Sequence, residues 1–426
     1  MKIRSLFLLM IIAALLGMVT ACDDLGKDPN SSGTDPDYLS GPYTVSFEAN
    51  GGSPAPQSQT ISWYGKVTEP AYMTKAGYGF GGWYTEAAFN NQWNFNDHVT
   101  ANLTLYAKWV LPITVTGEDL LEKLQWINSN AASNNTYILE VSKDELIGPQ
   151  NLSYSGKSNI TIQLKGTGGL KTIECYGSSL LFTIGNNVTL ILDENIVLKG
   201  SVSAGGGNLI MNNGSKITGG GVSVRTGTFT MNSGEISGNT FGGVSVRPGT
   251  FTMNGGKISG NTAYGGGGVS VRGGTFTMNG GEISGNTSNS GGGGVYVEEN
   301  TDDISYYRGI TGTFTMTGGV ISGNTVNSSS SYGDNGYGGG VYVGASSSFE
   351  KTGGIITGYS SDTANGNVVK EDNDGNVLDN RGHAVYVEHI NNNFIRRKET
   401  TAGQGDNLKY IRNEPNPPTI SGAWDE

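Results

Sequence analysis

Hydrophobic and polar residues alternate in short runs over residues 159–398, and many of these runs end at glycine or asparagine. In the run Thr250–Met253, TFTM, Phe251 and Met253 face one side of a strand and the two threonines face the other. The thirteen residues that begin there, TFTMNGGKISGNT, recur with small changes from Thr228, Thr275 and Thr313. Near-identical copies at short intervals predict an array of stacked structural units.

The spacing of equivalent residues sets the size of one unit. The phenylalanines of successive units are Phe229, Phe251, Phe276, Phe314 and Phe349, and Leu190 and Leu209 occupy the same place upstream. Steps of 19 to 25 residues, with longer later ones, suit one coil of a β-solenoid rather than a propeller blade. We therefore predict a mainly β protein whose residues 159–398 form a right-handed parallel β-helix with three short strands per coil, followed by a tail at 399–426.

Equivalent residues of successive coils are expected to stack on one another. The five phenylalanines would form an inward ladder, because alternation points them to the core. Asparagines that follow the third strand share one corner: Asn239, Asn261, Asn286 and Asn324. They predict a hydrogen-bonded ladder that satisfies corner backbone groups, with ligand-binding amides as the alternative. This ladder should stop at Tyr359, and Lys351 replaces the inward methionine, so we expect an irregular terminal coil.

The copies differ most at outward positions and in one set of turns. In the first strand serine gives way to Tyr296, Tyr342 and Tyr386, and earlier coils place Arg225, Arg247 and Arg272 after that strand. The turn after the third strand lengthens from residues 240–243 to residues 359–384. Insertions at one edge commonly build a binding rim, so we expect the contact face there, beside exposed tyrosines. The alternatives are tyrosines that pack only on one another, and arginines that are solvated rather than anion-binding.

Acidic residues of the regular coils occur singly. Glu235 and Glu282 flank Lys257 in the stacking order, which predicts a surface ion-pair ladder instead of the paired carboxylates of a glycosidase. We therefore expect no catalytic residue, no cofactor and no enzyme. A polysaccharide lyase or glycosidase is the alternative, because β-helices also carry such activities.

Two further groups of residues contain potential metal ligands. Oxygen ligands lie close together in the segment that contains Asp372, Asp374, Asn376 and Asp379, but their spacing does not match an EF-hand. A polar loop is the favoured interpretation, and a calcium site is the alternative. His383 and His389 share no metal motif and are expected at the solvated surface.

The N-terminus combines a basic start, an apolar run at residues 6–19 and the letters VTAC at residues 19–22. Residues 1–21 have the pattern of a signal peptide, and VTAC resembles the lipobox of bacterial lipoproteins. The resemblance implies lipidation of Cys22 and an exported protein anchored to a bacterial membrane, expected to be the outer membrane at the cell surface. Polar residues 22–42 predict a flexible tether, and Cys175 is expected to be a buried thiol.

Residues 43–110 have a different character, with the alternating segments YTVSFEA and LTLYAKW on either side of GYGFGGWYTE. This stretch resembles the Listeria–Bacteroides repeat, or internalin B-repeat, at the following residues: Phe47, Asn50, Gly51, Gly52, Lys66, Val67, Pro70, Gly77, Tyr78, Phe80, Gly82, Trp83, Tyr84, Leu105, Tyr106 and Trp109. The resemblance implies a small β-grasp-like module of a surface protein, structural or adhesive in role. Trp83 and Trp109 are expected in its core, with ligand stacking as the alternative. Residues 111–158 should cap the array through an amphipathic helix at 116–130 that Thr116 begins.

The array itself carries a second resemblance. GGV motifs and the FTMN that begins at Phe229, Phe251 and Phe276 are similar to the GG[AIV]…FxxN repeat of polymorphic outer-membrane proteins, although Thr317 departs from it. Members of that family are surface adhesins, which implies adhesion or host interaction. The net charge of −11 makes nucleic acid an unfavourable partner. We expect a monomeric, non-enzymatic surface lipoprotein that binds a glycan or a host matrix protein, with a purely structural stalk as a further alternative.

Overall fold

The computed structural model describes residues 42–62, 65–70, 73, 75, 78–95, 97–111, 113–177, 180–300, 309–328, 336–344, 347–359, 362–372, 374–378, 381–387, 395–397 and 408–410. The predicted signal peptide, Cys22, the tether before residue 42 and nearly all of the predicted tail lie outside these residues. Over the described residues the protein is mainly β, with a small N-terminal sheet, one helix and a long stack of parallel sheets. The predicted parallel β-helix behind a small β module is therefore confirmed.

The N-terminal sheet has four strands: β1 (Tyr43–Glu48), β2 (Gln59–Ile61), β3 (Gly79–Tyr84) and β4 (Leu103–Val110). Their order is β2-β1-β4-β3, with β1 and β4 parallel and both outer pairs antiparallel. A mixed sheet with a parallel central pair agrees with the β-grasp-like module that the resemblance implies. Trp83 is buried and Trp109 is partly buried in the module's core, where Trp109 Nε1 donates to Ala49 O at 2.8 Å.

The helix, α1, spans Leu120–Asn130 and covers the open end of the stack. Leu120, Leu124 and Ile127 are buried in the same core cluster as the first coils. The prediction that Thr116 begins the helix is wrong. Asp119 does so, because its carboxylate accepts a hydrogen bond from Glu122 N at 2.9 Å and satisfies a free helix-end donor.

Three long parallel sheets form the faces of the β-helix. Sheet 1 contains β7 (Gln150–Leu152), β10 (Leu180–Ile184), β13 (Ser201–Ala204), β16 (Val222–Val224), β19 (Val244–Val246), β23 (Val269–Arg272), β27 (Val295–Glu298), β31 (Val341–Val343) and β35 (Val385–Val387). Sheet 2 contains β5 (Thr136–Val141), β8 (Ile160–Gly166), β11 (Val188–Leu192), β14 (Asn208–Met211), β17 (Thr228–Met231), β20 (Thr250–Met253), β24 (Thr275–Met278), β28 (Thr313–Met316) and β32 (Ser348–Lys351). Sheet 3 contains β6 (Glu145–Ile147), β9 (Lys171–Cys175), β12 (Ile196–Lys199), β15 (Ser215–Thr218), β18 (Glu235–Ser237), β21 (Lys257–Ser259), β25 (Glu282–Ser284), β29 (Val320–Ser322) and β33 (Ile355–Ile356).

A fourth parallel sheet forms from the lengthened turns. Sheet 4 contains β22 (Thr262–Gly265), β26 (Thr287–Gly291), β30 (Thr325–Ser328) and β34 (Val368–Glu371). The later coils thus have four strands instead of the predicted three. Inserted residues that follow ISGNT pair with their equivalents in the next coil, since stacked backbones offer each other donors and acceptors.

Both ends of the stack depart from the prediction. The stack begins at Thr136 rather than at residue 159, because Tyr137, Leu139 and Val141 of β5 already alternate inward and pair with β8. At the other end β36 (Ile395–Arg397) and β37 (Leu408–Tyr410) pair antiparallel with β35 and β32. These strands cover open edges of sheets 1 and 2, which would otherwise offer free hydrogen-bonding groups.

The inward residues form one continuous core along the β-helix. The phenylalanine rings of successive coils stack with centroids 4.7–4.8 Å apart and planes within 9° of parallel. This distance equals the spacing of neighbouring strands, so each ring sits directly over the equivalent ring of the next coil. Lys351 takes the place of the stacked methionines and is buried in the last of these coils. Cys175 is only half-buried, in contrast to the buried thiol that was expected.

The corner asparagines form a buried ladder of side-chain hydrogen bonds. Asn239 Nδ2 donates to Asn261 Oδ1 at 2.8 Å, and the contact repeats from Asn261 to Asn286 and from Asn286 to Asn324 at 2.9 Å. The ladder does not stop at Tyr359. It continues to Asn367, whose Oδ1 accepts from Asn324 Nδ2 at 2.8 Å, because the chain loops out after residue 358 and returns to the same corner.

A second ladder follows sheet 2 and explains the asparagine of FTMN. Asn232 donates to Asn212, Asn254 to Asn232 and Asn279 to Asn254, at 2.9–3.2 Å between the amide atoms. Thr317 Oγ1 donates to Asn279 Oδ1 at 2.9 Å, so the departing residue keeps the contact. These asparagines brace a second corner of the helix.

Candidate binding surfaces

The predicted tyrosine row forms a column of stacked rings where sheet 1 meets sheet 4. Tyr296 and Tyr342 stack with centroids 4.8 Å apart, and Tyr342 lies 5.7 Å from Tyr386. Tyr337, from the inserted turn that follows β30, completes the column by stacking on Tyr386 at 4.2 Å. Sequence reasoning missed Tyr337, because its neighbours show no repeat.

The column is packed rather than open. Tyr386 is only 2% exposed, so its predicted exposure is wrong, and Tyr296 and Tyr342 are half-buried. Gly291 of sheet 4 explains the burial, since a Cβ there would lie 3.4 Å from the rings of both Tyr296 and Tyr342. The rings therefore support sheet 4, and only part of their surface is available to a ligand.

The three predicted arginines occupy different environments. Arg225 is exposed, whereas Arg247 and Arg272 are half-buried. The guanidinium of Arg272 lies 5.5 Å from the Tyr296 ring centroid, and its Nε is 3.8 Å from a carboxylate oxygen of Glu298. The guanidinium of Arg381 lies 4.6 Å from the Tyr337 ring centroid. Cations thus lie at both ends of the tyrosine column, and Arg272 is engaged by a ring and a carboxylate instead of forming an open anion site.

Ion pairs line the outside of sheet 3. Lys216 Nζ lies 3.0 Å from Glu235, and Lys257 Nζ lies 2.9 Å from Glu282. A hydrogen bond from Ser284, followed by the one from Lys257, lowers the pKa of Glu282. Ser237 and then Lys216 lower the pKa of Glu235 in the same way. These half-exposed groups match the predicted surface ladder, with Lys216 as an additional member.

Among the calcium candidates, Asp374 serves the local backbone. Asp374 accepts a hydrogen bond from Asn376 N at 2.9 Å and contacts the Asn376 side chain, so its carboxylate closes its own turn. Asp372 lies in the same loop, and Asp379 lies outside the described residues. Over the part of the chain that the structure describes, no group of three or more His, Cys, Asp or Glu side chains could hold a metal ion.

His383 contradicts its predicted surface position. It is 2% exposed, and its Nδ1 accepts a hydrogen bond from Val369 N at 3.1 Å. The side chain thereby links the first strand of its coil to sheet 4. His389 lies outside the described residues.

A further candidate site was not foreseen in the sequence. A cleft of about 420 Å³ separates the N-terminal module from the outer face of sheet 2. The module can approach closely because β3 presents Gly79, whose Cβ, if present, would lie 2.7 Å from Thr136 Cγ2 of β5. Most residues of one wall are more than 80 positions away in the sequence from residues of the other wall, as Lys108 is from Thr228. No local motif could therefore indicate the site.

The floor of the cleft consists mostly of short polar side chains, with two isoleucines among them. The outward strand residues of sheet 2 in this floor are Thr136, Thr161, Thr189, Ile191, Asn208, Ile210, Thr228, Thr230 and Thr252, and residues beside those strands add Asn134, Asn159, Asn232 and Asn254. Strand register places Thr161, Thr189, Asn208 and Thr228 in one column, each beside its equivalent in the next coil. Hydroxyls and amides therefore repeat along the floor at the spacing of the strands.

The opposite wall belongs to the module. Phe80 and Lys108 are half-exposed there, and Gln92 is exposed. An aromatic ring, a cation, an amide and the carboxyl group of Glu69 thus face a floor of hydroxyls and amides that also contains Ile191 and Ile210. Such a mixture of one apolar platform and several hydrogen-bonding groups suits an uncharged, hydroxyl-rich ligand.

Comparison with known proteins identifies the N-terminal module. Residues 43–108 match the Listeria-Bacteroides repeat domain. This repeat domain occupies the stretch for which the sequence resemblance was described, and it is followed directly by the capping helix and the stacked sheets. No solved structure matches the chain significantly.

Two curated proteins of Evansella cellulosilytica are similar over short segments. One, named "Putative Gly-rich membrane protein", is 44% identical over 73 residues, which are 17% of this chain and 8% of the relative. The other, named "Putative membrane protein", is 46% identical over 69 residues, 16% of this chain and 10% of the relative. The chain thus spans about a tenth or less of these relatives. Together with the repeat domain, they indicate a surface protein. In the described residues, no helix has both the length and the apolar character needed to cross a membrane.

Proposed function

We propose that this protein is a non-enzymatic, surface-anchored binding protein that holds a glycan chain in the cleft between the repeat domain and sheet 2. Lipid on Cys22 anchors it to the outer membrane at the cell surface, and it acts as a monomer. The observation that carries the proposal is the cleft itself, where Phe80 and Lys108 face a floor made mainly of threonines and asparagines.

The chemistry of a glycan fits this arrangement. Sugar hydroxyls exchange hydrogen bonds with short hydroxyl and amide side chains, and the apolar face of a sugar ring packs on an aromatic side chain. The floor extends across successive coils, which suits a linear chain of sugars more than a single compact molecule. The side chains around the cleft bring no convergent set of carboxylates, so retention of the ligand is favoured over its cleavage.

The test is a glycan-binding measurement on the full-length chain with two matched variants. Thr228→Arg places a long cation in the cleft, and we expect at least a ten-fold loss of affinity for the oligosaccharides that the parent binds. Thr275→Arg is the control, because Thr275 is the equivalent exposed residue of a later coil and does not line the cleft. Equal losses in both variants, or no glycan bound by the parent, would refute the proposal.

Surface location is tested separately on intact cells. Protease added outside the cells should remove the protein, and a Cys22→Ser variant should leave the membrane fraction. A protein that stays protected while the cells are intact would contradict surface anchoring without deciding whether the cleft binds a glycan.

A further inference from the structure

Two of the described side chains that line the cleft carry a formal charge, and both belong to the wall formed by the repeat domain. They are Glu69 and Lys108, while the floor on sheet 2 contributes hydroxyls, amides and isoleucines. Over the described residues, Glu69 and Lys108 form no ion pair with each other. The electrostatics of the cleft therefore depend on what contacts each charge separately.

The Lys108 ammonium group is held by aromatic rings of its own domain. Its Nζ lies 4.9 Å from the ring centroid of Tyr84 and 5.9 Å from that of Phe89. Cation–π contacts stabilise an ammonium group beside the faces of such rings. The positive charge of the cleft therefore already has partners within the protein.

The Glu69 carboxyl group has no such partner. It makes no hydrogen bond and no ion pair within the part of the chain that the structure describes. Surrounding protein atoms raise the pKa of the Glu69 carboxyl by desolvation, and neither a cation nor a hydrogen-bond donor lowers it. Solvent in the cleft still reaches the Glu69 side chain, which is exposed. An ionised Glu69 is therefore a charge that the protein does not compensate and that a ligand in the cleft can contact.

The backbone around Glu69 is fixed on both sides. Thr68 N donates to Gln59 Oε1 at 2.9 Å, and Gln59 Nε2 donates to Thr68 O at 2.7 Å. Pro70, which also lines the cleft, restricts the backbone conformations open to Glu69. A carboxylate on such a backbone is presented to a ligand from a defined place on the wall.

An ammonium group is the ligand group that complements this carboxylate. A hydrogen bond between an ammonium group and a carboxylate is stronger than one between neutral groups, and the desolvation of Glu69 adds to its strength. The net charge of −11 also attracts a positively charged ligand to the protein over longer distances. The neutral floor requires hydroxyl groups from the same ligand. Both walls are therefore satisfied by a hydroxyl-rich chain that is uncharged except for amino groups.

We infer that the cleft selects glycans with free amino groups and that Glu69 determines this selectivity. The inference rests on the proposed glycan-binding function and adds the class of sugar. The protonated amine of an amino sugar pairs with the Glu69 carboxylate, while the sugar hydroxyls contact the threonines and asparagines of the floor. An N-acetylated sugar has no positive charge, so it displaces solvent from Glu69 without replacing the lost stabilisation.

The test compares two hexasaccharides with the same backbone: a chitosan hexamer, with free amines, and a chitin hexamer, with every amine acetylated. Their affinities for the full-length chain are measured by titration calorimetry at about pH 6, where the chitosan amines are protonated. The parent should bind the chitosan hexamer at least ten-fold more tightly than the chitin hexamer. At about pH 8 the amines lose protons, so this preference should shrink.

Two matched variants locate the preference. Glu69→Gln keeps the size of the side chain and removes its charge, and it should bring the two affinities together. Glu48→Gln is the control, because Glu48 is an exposed acid of β1 in the same domain and does not line the cleft. It removes the same charge from the protein and should keep the preference of the parent.

The outcomes separate this inference from the proposed function. A parent that binds both hexamers equally, or that binds uncharged oligosaccharides but not the chitosan hexamer, would overturn the inference and leave glycan binding intact. A parent that binds no oligosaccharide would refute the proposed function as well. Equal loss of preference in Glu69→Gln and Glu48→Gln would overturn the inference, and so would hexalysine that binds the parent as tightly as the chitosan hexamer does. Each of these results would assign the preference to overall charge instead of the cleft.

Discussion

The buried asparagine ladder should contribute more stability than the outer one, and one coil contains a member of each. Asn286 is fully buried, and its side chain makes four hydrogen bonds at 2.9–3.1 Å, to Asn261 N, Asn261 Nδ2, Ile258 O and Asn324 Oδ1. In Asn286→Ala the Asn261 N–H loses this acceptor and Ile258 O loses this donor, at a corner that is fully buried. A buried polar group without a partner costs about 1–3 kcal/mol, so we expect a loss of about 3 kcal/mol.

Asn279→Ala is the matched control. Asn279 is exposed and hydrogen-bonds Asn254 and Thr317, each at 2.9 Å. Water can replace these contacts, so the loss should stay below about 1 kcal/mol. The assay is thermal unfolding followed by circular dichroism, where Asn286→Ala should lower the Tm by roughly 6–12 °C. Equal shifts in the two variants would refute the reasoning that burial, and not the hydrogen bond itself, sets the size of the effect.

Two further predictions concern the ion ladder and the glycine corners. The folded pKa of Glu282 lies below its ordinary value of 4.5, chiefly because Ser284 donates a hydrogen bond to its carboxylate, so the stabilisation is present above pH 4.5 and is lost as the pH falls through the folded pKa. Ser284→Ala should therefore lower the denaturation midpoint slightly at pH 7 and less at acidic pH. A difference in midpoint between parent and variant that widens at acidic pH would contradict this assignment. Gly268→Ala should destabilise the helix by more than about 1 kcal/mol, because the new Cβ would lie 2.6 Å from Gly294 O, whereas Gly205→Ala meets nothing closer than 3.6 Å and serves as the control in the same unfolding measurement.

The sequence predicted the β-helix scaffold well, because the residues that form it recur at equivalent positions of successive repeats. Alternation in TFTM places Phe276 and Met278 inside, and copies at short intervals require stacking. The predictions that were wrong concern residues that have no equivalent in a neighbouring repeat. Asn367 joins the ladder after an irregular loop. His383 is buried by sheet 4, and the sequence of one coil does not predict that sheet.

The candidate sites were harder to predict for a related reason. The cleft depends on where the repeat domain rests on the helix, and that placement rests on contacts such as the one between Gly79 and Thr136, far apart in the chain. The tyrosine row was visible as a pattern, but its burial depends on Gly291 of sheet 4. The exposure of a side chain depends on how the coils and inserted turns pack together, so the alternation of residues along one strand could not predict it.

The constant spacing of the phenylalanine stack has a consequence for how the protein can change over generations. Each regular coil makes the same contacts above and below, so an in-frame duplication or loss of one coil, about 22 residues, leaves α1 at one end and the antiparallel strands at the other. Every such event lengthens or shortens the helix by one step of about 4.8 Å. Near-identical copies favour recombination between repeats, so the length of the β-helix is a trait that can vary in whole coils between strains.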